Sequence, residues 1–148
     1  MLQSCREKIA PWAVLILRVY VGLVMALHGW SKIQNIPGTI EGLGNMGLPS
    51  PEYLVYLAIA GEFLGGLGLL VGFLTPIAAF GVFCTMAVAV FKIHWANGLM
   101  ASSGGFEYPM TLLWVALFFM AHGSGKYGVD AMCCNKCCGG GSCGSSAS

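Results

Sequence analysis

The chain has 148 residues, 57% hydrophobic and 9% charged, with a mean hydropathy of +0.77. A soluble domain needs far more charge to cover its surface, so this composition defines an integral membrane protein. The formal net charge of +1, with no basic stripe, excludes nucleic acid as a partner.

Residues 1–10 carry Arg6, Glu7 and Lys8 and read as a polar terminal segment. The apolar stretch after them is a poor signal peptide, because Arg18 interrupts it and no small-x-small cleavage site follows. It reads instead as a first span, from about Pro11 to Trp30, with Pro11 suited to a first helical turn. A second span is expected from about Tyr53 to Phe73, after the Leu48-Pro49-Ser50-Pro51 punctuation. Phe63 to Phe91 is a run of 29 residues without Asp, Glu, Lys or Arg. At ~1.5 Å per residue it would extend ~44 Å, too long for one crossing of a ~30 Å hydrocarbon core. Thr75-Pro76 divides it, so a third span runs from Pro76 to about Ile93. The fourth runs from Tyr108-Pro109, just after Glu107, to Ala121 or His122, ahead of Gly123-Ser124-Gly125. The predicted fold is all-α: an integral membrane four-helix bundle over residues 11–130, followed by a flexible tail rich in Cys, Gly and Ser over 131–148.

Four spans put both termini on one side, with Arg6, Lys8, Lys126 and Lys136, against Lys32 and Lys92 on the other. That excess of basic residues places the termini in the cytoplasm. The loops Gln34–Glu52 and Asn97–Glu107 then face outward. Gly61, Gly65, Gly68 and Gly72 fall on one face of the second span and form a smooth seam. It suits close packing within the bundle or a homo-oligomer contact.

The ionisable residues of the spans are the candidate ligand-binding groups, since such groups are costly to bury in a membrane and face a partner or a polar cavity. His28 and Lys32 lie four apart on one face of the first span. Glu62 sits deep in the second, Lys92 and His94 close the third, and Glu107 opens the fourth. These groups converge in the outer half of the bundle. Arg18, about 10 Å from the inner end of its span, is expected to pair with Glu62 near the midplane, each offsetting the other's desolvation. The plainer alternatives are snorkelling of Lys32, Lys92 and Glu107 to the headgroups, an interfacial His94 beside Trp95, and a helix-end role for His122. Cys84, mid-span among apolar neighbours, reads as an inert core thiol.

Five of the seven cysteines lie near the C-terminus: Cys133, Cys134, Cys137, Cys138 and Cys143. In a reducing cytoplasm such a cluster favours metal or redox chemistry over a structural disulfide. Soft thiolates select copper(I) or zinc, although adjacent cysteines fit a four-cysteine zinc site poorly.

Together these residues resemble the DoxX family of small four-helix membrane proteins. The resemblance spans about Arg18 to Asp130. It rests on Arg18, His28-Gly29-Trp30-Ser31-Lys32, Gly61-Glu62-Phe63-Leu64-Gly65-Gly66 and Gly72-Phe73-Leu74-Thr75-Pro76. It continues through His94-Trp95-Ala96-Asn97-Gly98, Gly104-Gly105-Phe106-Glu107 and Gly123-Ser124-Gly125-Lys126-Tyr127-Gly128-Val129-Asp130. The resemblance implies a bundle in the bacterial inner membrane with both termini inside. It also implies association with redox complexes, since relatives include a subunit of thiosulfate:quinone oxidoreductase and a membrane partner in oxidative-stress complexes. Related members accompany biosynthesis systems for copper-binding, cysteine-rich modified peptides. The cysteine tail departs from the common pattern.

Three functions are compatible with these features. The first is a redox-associated subunit that binds a quinone or similar small molecule at Arg18, His28, Lys32, Glu62, His94 and Glu107, with redox or stress-response proteins as partners. The second is a metal-binding membrane protein that uses the cysteine cluster. The third is a non-catalytic assembly or anchoring subunit.

Overall fold

The computed structural model describes residues 2–137, which form helices joined by turns and loops. The first helix, Leu2–Gln34, has 33 residues and begins well before Pro11, which lies inside it. Gln3 to Ile9 contain no Gly or Pro and wind readily. A proline this close to the start costs one backbone bond that neighbouring groups in a membrane helix can re-satisfy.

The connection expected as a loop over Gln34–Glu52 contains a short helix, Ile36–Asn45. Asn35 caps it by accepting a hydrogen bond from the Gly38 amide at 3.1 Å, and Pro37 fits its first turn. Ile36, Ile40 and Leu43 share one face, and no residue of this helix is buried.

The second long helix, Pro51–Val71, contains one π-turn at Ala60–Leu64. Gly72 ends it in the left-handed region at φ 70°, and the Gly72 and Phe73 amides bond back to Gly68 and Leu69 carbonyls. The third long helix, Thr75–Asn97, finishes with a second π-turn at Ala89–His94 and a short 3-10 turn. The fourth, Glu107–His122, has 16 residues. A C-terminal helix, Val129–Cys137, carries the chain beyond the expected start of the tail. Cys138 and Cys143 lie outside the described residues. The first three long helices, over Cys5–Gln34, Pro51–Val71 and Thr75–Asn97, are long and apolar enough to cross a membrane.

The bundle is assembled in sequence order: first against second, second against third, third against fourth. Small residues set the closeness of the first two contacts. A Cβ on Gly22 would lie 2.5 Å from the Leu70 amide nitrogen, and one on Gly65 would lie 2.8 Å from the Ala78 carbonyl. Gly61, Gly65 and Gly68 all abut the third helix, so the seam serves packing within the bundle. Gly72 stands apart from it as the helix terminator. Val21, Met25, Leu69, Val82, Met86, Leu113 and Phe119 are among the residues that fill the core. Between the fourth helix and the first, packing is sparse. There a lateral groove of about 330 Å³ opens, lined by Leu17, Thr111, Trp114, Val115 and Phe118.

Candidate functional site

Lys32 and Glu62 form an ion pair between the first and second helices, the ammonium donating to both carboxylate oxygens. Glu62 is 5% exposed, whereas the Lys32 side chain keeps 27% of its surface open. The antiparallel register explains the meeting. Gly29 abuts Phe63, so Lys32 rises one turn beyond that contact and its long stem reaches back to Glu62. Glu62 lies within the π-turn, where the Gly65 amide bonds to the Ala60 carbonyl. Such insertions re-aim side chains and concentrate at functional sites.

The expected Arg18–Glu62 pair does not form. Because Gly22 abuts Gly66 and Leu70, Arg18, one turn earlier on the first helix, lies level with the end of the second helix, not with its middle. There its guanidinium donates to the carbonyls of Leu69 at 2.6 Å, Leu70 at 3.1 Å and Tyr127 at 3.2 Å. Leu69 and Leu70 sit in the last turn of a helix, where carbonyls lack the usual donor four residues on. Arg18 is 1% exposed, and it holds the fold rather than joining Glu62. Asp130 complements it from the far side of the same turn. Its carboxylate accepts from the Leu74 amide at 2.7 Å and the Thr75 amide at 2.9 Å, and its own amide donates to the Gly72 carbonyl.

His28 is exposed one turn before Lys32, with its ring 6.3 Å from that of Tyr108 at the start of the fourth helix. The structure thus pairs Lys32 with Glu62 and His28 with Tyr108, with His28 one turn from Lys32 on the first helix. His94 belongs to a different local structure. Its Nδ1–H donates to the Gly104 carbonyl at 2.6 Å, and the Asn97 amide shares that acceptor at 3.1 Å. Trp95 stacks on Phe106 with ring centroids 5.1 Å apart. Together these contacts fold the 98–106 loop over the end of the third helix. Lys92 and Glu107 are exposed. Sequence reasoning missed Tyr108, which carried no signal beyond starting a span, and it noted Asp130 only within a family motif.

Cys84 is exposed, in contrast to the core thiol expected. The buried residues of the third helix are Thr75, Ala79, Val82, Met86 and Val90. Cys84 falls on the opposite face, with exposed Phe80, Val88 and Phe91. Cys5 and Cys133 are also free and exposed. Among the described residues, no three His, Cys, Asp or Glu side chains lie close enough to share a metal.

A buried carboxylate neutralised by a half-open lysine, with an exposed histidine one turn away, can hold a proton and present positive charge to an anionic group. The protein is therefore a small helical integral membrane protein with a polar site between its first two spans. The DoxX family profile matches residues 13–95, and the chain belongs to that family. It is 31% identical over 116 residues to "Putative oxidoreductase CatD" of Bacillus subtilis, covering 78% of this chain and 83% of the relative. It is 30% identical over 128 residues to "Inner membrane protein YqjF" of Escherichia coli, covering 85% and 95%. An uncharacterized Haemophilus influenzae protein is 32% identical over 127 residues, covering 84% and 92%. No solved structure shows significant similarity to the chain.

Proposed function

We propose that the protein is a redox-associated subunit of the bacterial inner membrane that binds a quinone or similar small molecule beside Lys32, Glu62 and His28. The observation that carries this is the Lys32–Glu62 pair, buried at the carboxylate, open at the lysine and set in a π-turn. Glu62 pairs with the Lys32 ammonium, and Lys32 offers its charge to a reduced, anionic oxygen. His28 is placed to exchange protons with the ligand or with water at the membrane surface. A partner redox or stress-response protein supplies the electrons. The names "Putative oxidoreductase CatD" and "Inner membrane protein YqjF" of two relatives support the same role and location. The distribution of basic residues supports four crossings with both termini in the cytoplasm.

The test is equilibrium binding of a short-chain ubiquinone to the full-length protein in nanodiscs, with Glu62→Gln and Lys32→Met compared with wild type. Saturable binding that falls in both variants, with their helical content intact, supports the assignment. Wild-type protein that shows no saturable binding, or variants that bind as well as wild type, would refute it.

A second function, soft-metal capture by the cysteine cluster, has one structural observation in its favour. Asp130 ties the start of the Val129–Cys137 helix to the second–third turn. At ~100° per residue, the backbone positions of Cys133, Cys134 and Cys137 fall within one sector of about 100°. Copper(I) titration against a chromophoric chelator tests it. Loss of stoichiometric binding in a Cys133→Ser/Cys134→Ser/Cys137→Ser variant supports the function, and unchanged binding removes it.

A further inference from the structure

The π-turn that carries Glu62 is gripped from both sides. On the first-helix side, a Cβ at Gly29 would lie 2.5 Å from the Phe63 amide nitrogen. On the third-helix side, a Cβ at Gly61 would lie 2.5 Å from the Thr85 methyl carbon and 2.8 Å from the Gly81 carbonyl oxygen. Gly65, whose amide closes the turn on the Ala60 carbonyl, comes as near: its Cβ would lie 2.8 Å from the Ala78 carbonyl oxygen. One side of the widened turn is thus seated on the third helix through Gly61 and Gly65, while Phe63 meets the first helix and Glu62 turns to Lys32 there. The Thr85 side chain that presses on Gly61 has little freedom. It is half-buried, and its hydroxyl donates to the Val82 carbonyl at 2.9 Å, with the Gly81 carbonyl at 3.3 Å. That bond to its own helix selects the rotamer and leaves the methyl against the bare Gly61 Cα.

In a helix the winding sets the direction in which each side chain leaves, ~100° per residue, and a π-turn re-aims it locally. Glu62 follows Gly61 directly, so whatever holds Gly61 sets the aim of the carboxylate. We propose that Thr85 and Gly81 are positioning residues for the ion pair. Seated on Gly61, they hold the π-turn in the winding that directs Glu62 at Lys32, without hydrogen-bonding to either partner themselves. The third helix thereby takes part in a site whose paired charges come from the first and second. This deepens the proposed function, on which its ligand readout rests, and its first test needs no ligand.

The test measures the coupling energy of Lys32 and Glu62 by a double-mutant cycle. It uses Lys32→Met, Glu62→Gln and both together, with denaturant unfolding of the full-length protein in mixed micelles as the readout. The cycle is run in wild type and in four backgrounds: Gly61→Ala, Gly68→Ala, Thr85→Val and Thr85→Ser. Gly61→Ala should cut the coupling to roughly half or less, because the added methyl displaces the turn at the residue before Glu62. A Cβ at Gly68 would meet that of Ala78 at 2.6 Å, so Gly68→Ala strains the same interface beyond the π-turn. It should lower stability and keep the coupling. Thr85→Val retains the methyl and should keep the coupling, whereas Thr85→Ser retains only the hydroxyl and should weaken it. Coupling kept in Thr85→Ser, or lost equally in Gly61→Ala and Gly68→Ala, overturns the proposal, as does a wild type without coupling. A Val variant weaker than the Ser variant would assign the effect to the hydroxyl and overturn it too. The Thr85 pair decides alone should Gly61→Ala fail to fold. Binding of a short-chain ubiquinone in nanodiscs gives the second readout. Gly61→Ala should lose roughly tenfold in affinity, the scale of one charged hydrogen bond, Thr85→Ser should lose less, and Thr85→Val should match wild type. A wild type that binds no quinone refutes the proposed function, and the cycle still judges the positioning.

Discussion

Arg18 and Asp130 brace the same interhelical turn from opposite ends. Arg18 holds the carbonyls of Leu69 and Leu70 that end the second helix, and Asp130 holds the amides of Leu74 and Thr75 that begin the third. Each charge meets one pole of a helix dipole: the cation at a C-terminus, the anion at an N-terminus. Leu74, at φ 47°, occupies the left-handed region that a leucine rarely adopts, and Asp130 accepts its amide.

Replacing Arg18 with Met should lower the unfolding free energy by roughly 2 kcal/mol or more, since three charged hydrogen bonds vanish from a buried site. Arg18→Lys should recover only part of this, because one ammonium cannot reproduce the planar fork. Denaturant unfolding in mixed micelles, followed by circular dichroism, measures both. A Met variant as stable as wild type would show that the carbonyls find other donors.

Asp130→Ala removes the acceptor of two amides and should cost about 1–2 kcal/mol, the scale of losing a helix N-cap. Its signature is local. Hydrogen exchange at Leu74 and Thr75 should accelerate well beyond that of the core amides of the second helix, with Asp130→Asn intermediate.

Two glycines should answer oppositely to alanine. A Cβ at Gly22 collides with the backbone of the second helix, so Gly22→Ala should force the helices apart at a cost of about 1–3 kcal/mol. A Cβ at Gly42 meets nothing within 4 Å, so Gly42→Ala should be neutral or stabilising by up to about 1 kcal/mol. Melting temperatures of the two variants, measured side by side, decide it.

The two halves of the ion pair should not be equivalent. Lys32→Met strands a buried carboxylate and should cost roughly 3 kcal/mol. Glu62→Gln leaves a lysine that is already open to its surroundings, and should cost less. Combining the two should restore part of the stability lost in Lys32→Met. A double variant whose loss equals the sum of the singles would mean that the pair contributes nothing as a pair.

Thiol labelling tests both membrane depth and sidedness. Cys84 should react with a lipid-soluble maleimide and resist a membrane-impermeant one, because it faces outward in the middle of the third helix. In cells, Cys5 should be protected from the impermeant reagent until the membrane is opened. Labelling of Cys5 from outside would invert the proposed topology.

The four long helices and the break at Thr75-Pro76 were legible in the sequence because breakers and apolar runs are local signals. The glycine seam was legible as a packing face, while its partner, the third helix, was not encoded locally. Arg18 was misassigned for a physical reason: its acceptors are main-chain carbonyls, which every residue has and no sequence pattern marks. The search for a carboxylate partner therefore led to Glu62, whose cation is Lys32. Cys84 was misjudged because burial within a membrane differs from burial within a protein, and a uniformly apolar helix does not reveal which face is which. His28 and Lys32 were recognisable as neighbours from their spacing alone.

The π-turn at Ala60–Leu64 has a consequence for how this protein can vary. Such a turn accommodates one residue more than ordinary winding does, so deleting one residue there would let the helix close up as a regular α-helix. Because the turn absorbs its extra residue locally, the helix faces on either side would keep their orientation, and only the residues within Ala60–Leu64 would be re-aimed. The Gly65–Gly68 face would stay against the third helix while Glu62 lost its aim at Lys32, with no side chain altered. The site therefore depends on residue count as well as residue identity: a chain one residue shorter in this segment would keep its bundle and redirect its carboxylate.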